Sequence, residues 1–149
     1  MPVVQKNKEA RFNYEILEEF EAGIVLTGPE VKSAKRGQIS LQGSYVSLRG
    51  EQLWLVHCHI SPYQHAAASG TYEPERERRL LLRKEEIRSL IGKLHSRGLT
   101  LIPLSFYTKR GLIKVLLGLG RGRKKFDKRA QIKKRETDRK IQKALRARL

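Results

Sequence analysis

The last 29 residues of this chain cannot build a hydrophobic core. From Arg121 to Leu149 there are 14 Lys and Arg against Asp127, Glu136 and Asp138, a net +11. Residues 1–120 hold the other 18 basic and 12 acidic groups, a net +6. Folded structure is therefore expected over 1–120, with 121–149 as a basic tail. The total of 149 residues suits one domain plus an extension, and 39% hydrophobic content is enough to hold it folded. A mildly basic body with a strongly basic tail points to a polyanionic partner, because neutralising phosphates releases their counterions. A membrane surface is anionic too, but there is no long apolar run, no signal-peptide pattern and no lipidation motif. Nucleic acid is the expected partner, in a cytoplasmic setting. Cys58 is the single cysteine, which excludes an internal disulfide and a cysteine-based zinc site and fits a reducing cytosol.

Strand patterns dominate the body. Residues 1–10 are polar and are expected to be loose. Tyr14 to Leu26 reads as extended structure broken by Gly23. Thr27, Pro29, Glu30 and Gly37 punctuate a short helix: a capping box from Thr27 to Glu30, proline in the first turn, glycine at the exit. Tyr45 to Arg49 and Gln52 to His57 flank Gly50-Glu51 as a hairpin, with Val46 and Leu48 alternating against polar neighbours. Residues 61–77 read as the longest loop and Leu80 to Leu82 as a short buried strand. Ile87, Leu90, Ile91 and Leu94 form one apolar stripe, which predicts a helix over about 84–97 closed by Gly98. A second hairpin follows, Thr100 to Thr108 and Leu112 to Leu119, in which Pro103 marks an edge or a bulge. The expected fold is mainly β: an OB-like antiparallel barrel with two or three flanking short helices and the basic C-terminal tail. Ile141, Leu145 and Leu149 make only a thin stripe among repelling cations. The tail is expected to be disordered when free and helical in an anionic groove.

Catalytic patterns are weak. On a strand, His57 and His59 would share one face and Cys58 the other, so three ligands could not converge on a metal. Glu15, Glu18, Glu19 and Glu21 would be scattered over two faces by alternation, which suits a solvated strand edge better than a metal-dependent nuclease. No nucleophile motif or phosphate-cradling glycine loop is present. Neither an enzyme, a metal nor a cofactor is expected. Aromatic residues among cations say more, since rings stack on unpaired bases while Lys and Arg hold phosphates. Phe12 and Tyr14 follow Lys6, Lys8 and Arg11, and Phe126 sits within RGRKKFDKR. Tyr14 has a core reading beside the contact one; Phe126, charged on both sides, reads as a contact.

Several blocks resemble the SmpB family, the binding proteins of transfer-messenger RNA (tmRNA) in ribosome rescue: NKEARFNYEI at 7–16, FEAGIVLTGPEVKSAKRG at 20–37, HISPY at 59–63, EPERERRLLL at 73–82, LIGKL at 90–94 and KKFDKR at 124–129. The string EAGIVLTGPEVKS is long and specific. The resemblance implies an OB-type barrel that binds the tRNA-like domain of tmRNA in place of an anticodon arm. It also implies a tail that enters the empty mRNA channel of a stalled ribosome. Asn7, Glu21 and Leu81 match family positions associated with tmRNA binding, and Lys8, Arg11 and Tyr14 are taken with them as the adjoining run of cations and rings. A carboxylate at Glu21 can accept from guanine amino groups or orient an Arg. In the tail, Gly122, Asp127, Lys128 and Arg129 match the decoding-centre segment, with Lys124, Lys125 and Phe126 between them. Relatives carry His or Tyr at Phe126, so stacking is retained and a ring-edge hydrogen bond is lost. Gly122 would act as a pivot and Asp127 would cap a helix. The implied partners are tmRNA, small-subunit ribosomal RNA and, in the delivery complex, elongation factor Tu. A structural ribosomal protein would share the basic tail and barrel, and an RNA-cleaving enzyme would use the acidic cluster; the matching blocks favour the adaptor over both.

Overall fold

The computed structural model describes residues 3–63, 72–122 and 125–147; side chains at 96–97, 125–128, 130–131 and 147 lie outside that description. Residues 64–71 of the loop expected over 61–77 fall outside it as well. Nine strands and four helices alternate along the described residues. Strand β1 (Val3–Lys6) and the one-turn α1 (Ala10–Asn13) lead into the long β2 (Tyr14–Ile24), then α2 (Gly28–Lys35) and β3 (Ile39–Ser40). The hairpin β4 (Tyr45–Arg49) and β5 (Gln52–Val56) is followed by β6 (His59–Ile60), β7 (Arg78–Leu81) and α3 (Lys84–Arg97). A second hairpin, β8 (Thr100–Lys109) and β9 (Leu112–Gly122), runs into α4 (Lys125–Ala147). Seven strands form one antiparallel sheet in the order β1-β8-β9-β2-β7-β5-β4, and β3 pairs with β6 alone. The large sheet does not close by hydrogen bonds, since β1 and β4 are its ends; β4 packs against β8.

Local chemistry explains most boundaries. The Thr27 side chain accepts from the Glu30 N–H while Glu30 accepts from the Thr27 N–H, a complete capping box, and Gly37 leaves the helix at φ +76°. Arg110 and Gly111 both have positive φ, as a two-residue turn matched to strand twist requires. Pro103 has no N–H to give the sheet. The β8–β9 register shifts between Pro103 and Ser105, so the proline sits at a bulge in an interior strand flanked by β1 and β9, and not at an edge.

Three expectations are corrected. Residues 3–6 are not loose: they pair with β8, and Val4 packs against the core, a strand too short and too polar to show an alternating pattern. Strand β7 is buried on one face only. Arg78 and Leu80 point in and Arg79 and Leu81 point out, because only one face of the sheet covers the core at β7. His57 is not a strand residue; its φ of 59° ends β5 and turns the chain into β6. The core gathers Leu53, Leu55, Leu80, Leu101, Phe106, Val115, Leu117 and Leu119 from the sheet, with Ala34 of α2 and Leu90 of α3 sealing it.

Candidate nucleic-acid interface

Strand β2 positions the charges. A register shift between Ile16 and Glu18 breaks its alternation, so Glu15, Glu18, Glu19 and Glu21 do not follow a simple two-face pattern. Each meets a cation: Glu15 with Arg121 at 3.1 Å, Glu18 with Lys93 at 2.8 Å, Glu19 with Arg11 at 2.6 Å, Glu21 with Lys109 at 3.2 Å. Glu21 also accepts from the Tyr107 hydroxyl. That bond, with Lys109 and Lys114, holds the Glu21 carboxyl below its ordinary range against the opposing effect of desolvation. Burial, reinforced by Glu21, pushes the Tyr107 hydroxyl up.

Glu21 and Leu81 come together. Gly23 pairs with Leu81 across β2 and β7, and the glycine lets the strands approach: a Cβ there would lie 3.4 Å from the Leu81 Cβ. A groove at this point is lined by Glu21, Gly23, Leu81, Leu82, Arg83, Glu86 and Lys114. Leu81 is 47% exposed beside it. Sequence reasoning missed Arg83, Tyr107, Lys109 and Lys114. Alternation in β9 could have pointed Lys114 outward, but nothing local to it indicates that it faces Glu21.

The remaining body residues lie elsewhere. Asn7 donates from Nδ2 to the Pro103 carbonyl at 2.9 Å, tying the end of β1 to the bulge. Lys8 is exposed before α1, Arg11 holds Glu19, and Tyr14 is half-buried where β2 meets Gly122. The Arg135 guanidinium of α4 lies 5.8 Å from the Phe12 ring centroid. Asn7, Lys8, Arg11 and Tyr14 thus do not line the Glu21–Leu81 groove.

Glu30 does more than cap. Its side chain is buried and receives Arg78 Nε at 2.7 Å and Arg76 Nε at 3.1 Å. Arg78 is fully buried and also donates to the carbonyls of Cys58 and Pro74 and to the Tyr72 hydroxyl. Burial alone would raise the Glu30 pKa from 4.5; the hydrogen bonds from Arg76, the Thr27 N–H and Arg78 outweigh it and hold the group at about 2. Burial pushes the Cys58 thiol up to about 12. Cys58 is fully buried, so it and the histidines beside it form no shared surface.

In the tail, Gly122 ends β9, exposed and paired with Tyr14. Helix α4 begins at Lys125, so Asp127 falls inside its first turn and not ahead of it, a place where a carboxylate complements the helix dipole. Lys124 and the side chains of Lys125, Phe126, Asp127 and Lys128 lie outside the described residues. Arg129 is exposed, as are residues 132–146. Among the described residues, no three His, Cys, Asp or Glu are placed to hold a metal, and no helix is long and apolar enough to cross a membrane.

A β-rich body with charged grooves, carrying a helix covered in cations, belongs to the class of nucleic-acid-binding proteins. A family model described as SmpB protein matches residues 4–147. The SsrA-binding proteins of Trichormus variabilis and Synechococcus elongatus are 51% and 50% identical over 143 residues, spanning 96% of this chain and 92% and 93% of theirs. A solved structure described as "tmRNA-SmpB: a journey to the center of the bacterial ribosome" has 46% identity and a TM-score of 0.67, covering 84% of this chain and 87% of that one. The chain belongs to the SmpB family.

Proposed function

We propose that this protein is a cytoplasmic RNA-binding adaptor, not an enzyme, which holds the tRNA-like domain of tmRNA and brings it to stalled ribosomes for trans-translation. The observation that carries this reading is the meeting of Glu21 and Leu81, distant in sequence, in one groove rimmed by Arg83 and Lys114. The carboxylate, pinned by Tyr107 and Lys109, accepts from base amino groups; the cations hold phosphates; Leu81 offers an apolar contact. Asn7 serves by fixing β1 to β8, while Lys8, Arg11 and Tyr14 form a second part of the RNA surface. The sheet acts as an OB-type barrel whose two ends meet where β4 packs on β8. Elongation factor Tu accompanies the delivery complex.

The tail is the ribosomal half of the device. Gly122 is its pivot, and Lys124, Lys125, Phe126, Asp127, Lys128 and Arg129 meet the decoding centre and the empty mRNA channel. The helix of the tail is held there by ribosomal RNA and is disordered away from it, since its exposed cations repel one another.

Glu21→Ala tests the groove. A hydrogen bond to a charged group is worth roughly 1.5–3 kcal/mol, so tmRNA affinity at fixed salt should fall about ten- to a hundred-fold while the variant still unfolds cooperatively in urea. Unaltered affinity would remove Glu21 from the site and leave it as the anchor of Tyr107 and Lys109.

A further inference from the structure

Three strands assemble the surroundings of Glu21. In the sheet order β8-β9-β2, Tyr107 stands on β8 and Glu21 on β2, with β9 between them. The Tyr107 hydroxyl reaches across β9 and donates to Glu21 Oε2. Tyr107 is only 7% exposed, so its ring is packed in place and its hydroxyl has a fixed aim. Lys109 donates to both oxygens of the same carboxylate at 3.2 and 3.3 Å, but its side chain is 40% exposed. The tyrosine is thus a permanent partner and the lysine an exchangeable one. A free surface glutamate loses side-chain freedom when it binds a ligand; for Glu21 that loss is already taken on folding.

The Glu21 side chain remains 37% exposed and lines the groove with Arg83 and Lys114. Glu86, the other carboxylate of the groove, accepts from the Arg83 N–H at the start of α3. A carboxylate offers about four acceptor sites and no donor. Tyr107 takes one on Oε2. As RNA arrives, Lys109 is drawn to a phosphate, which leaves an acceptor site on each oxygen. Two oxygens side by side match two donors side by side. Among the four bases only guanine presents these, as N1–H and the N2 amino group on its Watson–Crick edge. Adenine and cytosine set their amino group beside a ring-nitrogen acceptor, which a carboxylate repels. Uracil sets one N–H between two carbonyls. The guanine edge must be free of a pairing partner, as it is in RNA loops.

We infer that Tyr107 is a positioning residue for RNA recognition, whose hydroxyl aims the Glu21 carboxylate so that the groove selects an unpaired guanine. Guanine selection rests on the reading above, in which this groove holds tmRNA. Arg83 and Lys114 are left to hold the neighbouring phosphates.

The test uses the full chain and synthetic RNAs of the tRNA-like domain, in each of which one unpaired guanosine is replaced by inosine. Inosine keeps N1–H and loses the amino group. At one position the replacement should weaken binding to the parent about ten-fold, the scale of discrimination from a bidentate contact to one base. Glu21→Gln and Tyr107→Phe should each bind the unmodified domain about ten-fold more weakly than the parent and lose most of the distinction between guanosine and inosine. The slope of log affinity against log salt should be the same for Tyr107→Phe as for the parent, because no charge is removed. Cooperative urea unfolding shows that each variant is folded. A parent indifferent to every inosine, or a Tyr107→Phe variant that keeps the full ten-fold preference, overturns the inference. Glu21→Ala separates the two levels. If it leaves tmRNA affinity unchanged, the groove reading falls and guanine selection with it. If it weakens binding while the inosine series is flat, the groove stands and guanine selection alone falls.

Discussion

Glu30 carries a buried charge that Arg78, Arg76 and the Thr27 N–H hold in place. Its partner Arg78 is equally buried, so Glu30→Ala would strand a guanidinium in the core. Breaking a buried pair by removing one member costs about 3–5 kcal/mol, and urea unfolding should show a loss of that size. Arg76→Ala should cost much less, because Arg76 is one-third exposed and Arg78 remains to serve Glu30. The pH response has a definite sign. The folded pKa, about 2, lies below the ordinary 4.5, so the stabilisation is fully present above pH 4.5 and is lost as pH falls towards 2. In Glu30→Gln that segment of acid sensitivity should be weakened relative to the parent in unfolding curves between pH 5 and 2. An equally steep acid loss would mean that other carboxylates dominate.

At the scale of elements, the β2–β9 pairing is the critical joint, and glycines make it possible. A Cβ on Gly120 would stand 2.5 Å from the Glu15 carbonyl oxygen, and one on Gly118 would stand 3.0 Å from Leu104 Cδ1. Backbone cannot yield as a flexible side chain can, so Gly120→Ala should destabilise by about 1–3 kcal/mol. Beyond its chain neighbours and its own helix backbone, a Cβ on Gly92 inside α3 would meet no heavy atom within 4 Å among the described residues. Gly92→Ala should therefore stabilise by up to about 1 kcal/mol through helix propensity. Thermal melts of the two variants should move in opposite directions; movement in the same direction would contradict the packing described for β9. Such contrasts were invisible in the sequence, where the two glycines differ only in their neighbours.

For the whole molecule, β9 runs on to Gly122, with residues 121 and 122 paired to Glu15 and Tyr14, so a truncation that spares the sheet falls after Gly122. Truncation there removes 13 Lys and Arg and 3 acidic residues, a net +10, without touching a strand. The shortened protein should unfold at the parent's urea concentration, bind tmRNA with a shallower salt dependence, and fail to support tagging. Replacing Asp127, Lys128 and Arg129 with Ala removes a net charge of only +1, so bulk attraction should persist while peptide transfer to alanyl-tmRNA on a truncated message is lost. Normal transfer in a single-turnover assay would reduce the tail to an unspecific cationic tether.

The local features were legible in the residues alone: the Thr27–Glu30 capping box, the α3 stripe, both hairpins and the antiparallel, mainly β character. These depend on periods of two and 3.6 residues and on turn chemistry, which neighbours in sequence determine. The concentration of charge in the last 29 residues, and with it an anionic partner, was equally plain. What only the tertiary structure decided were meetings across the chain. Glu21 with Leu81, Tyr107 and Lys114, Glu30 with Arg78, and Tyr63 with Lys32 and Arg36 each join elements that are strangers in sequence. β1 escaped detection for the same reason: four residues with half-buried valine and glutamine become a strand only when β8 offers them partners. Strand order and register arise from long-range pairing and packing, and no local pattern carries that information.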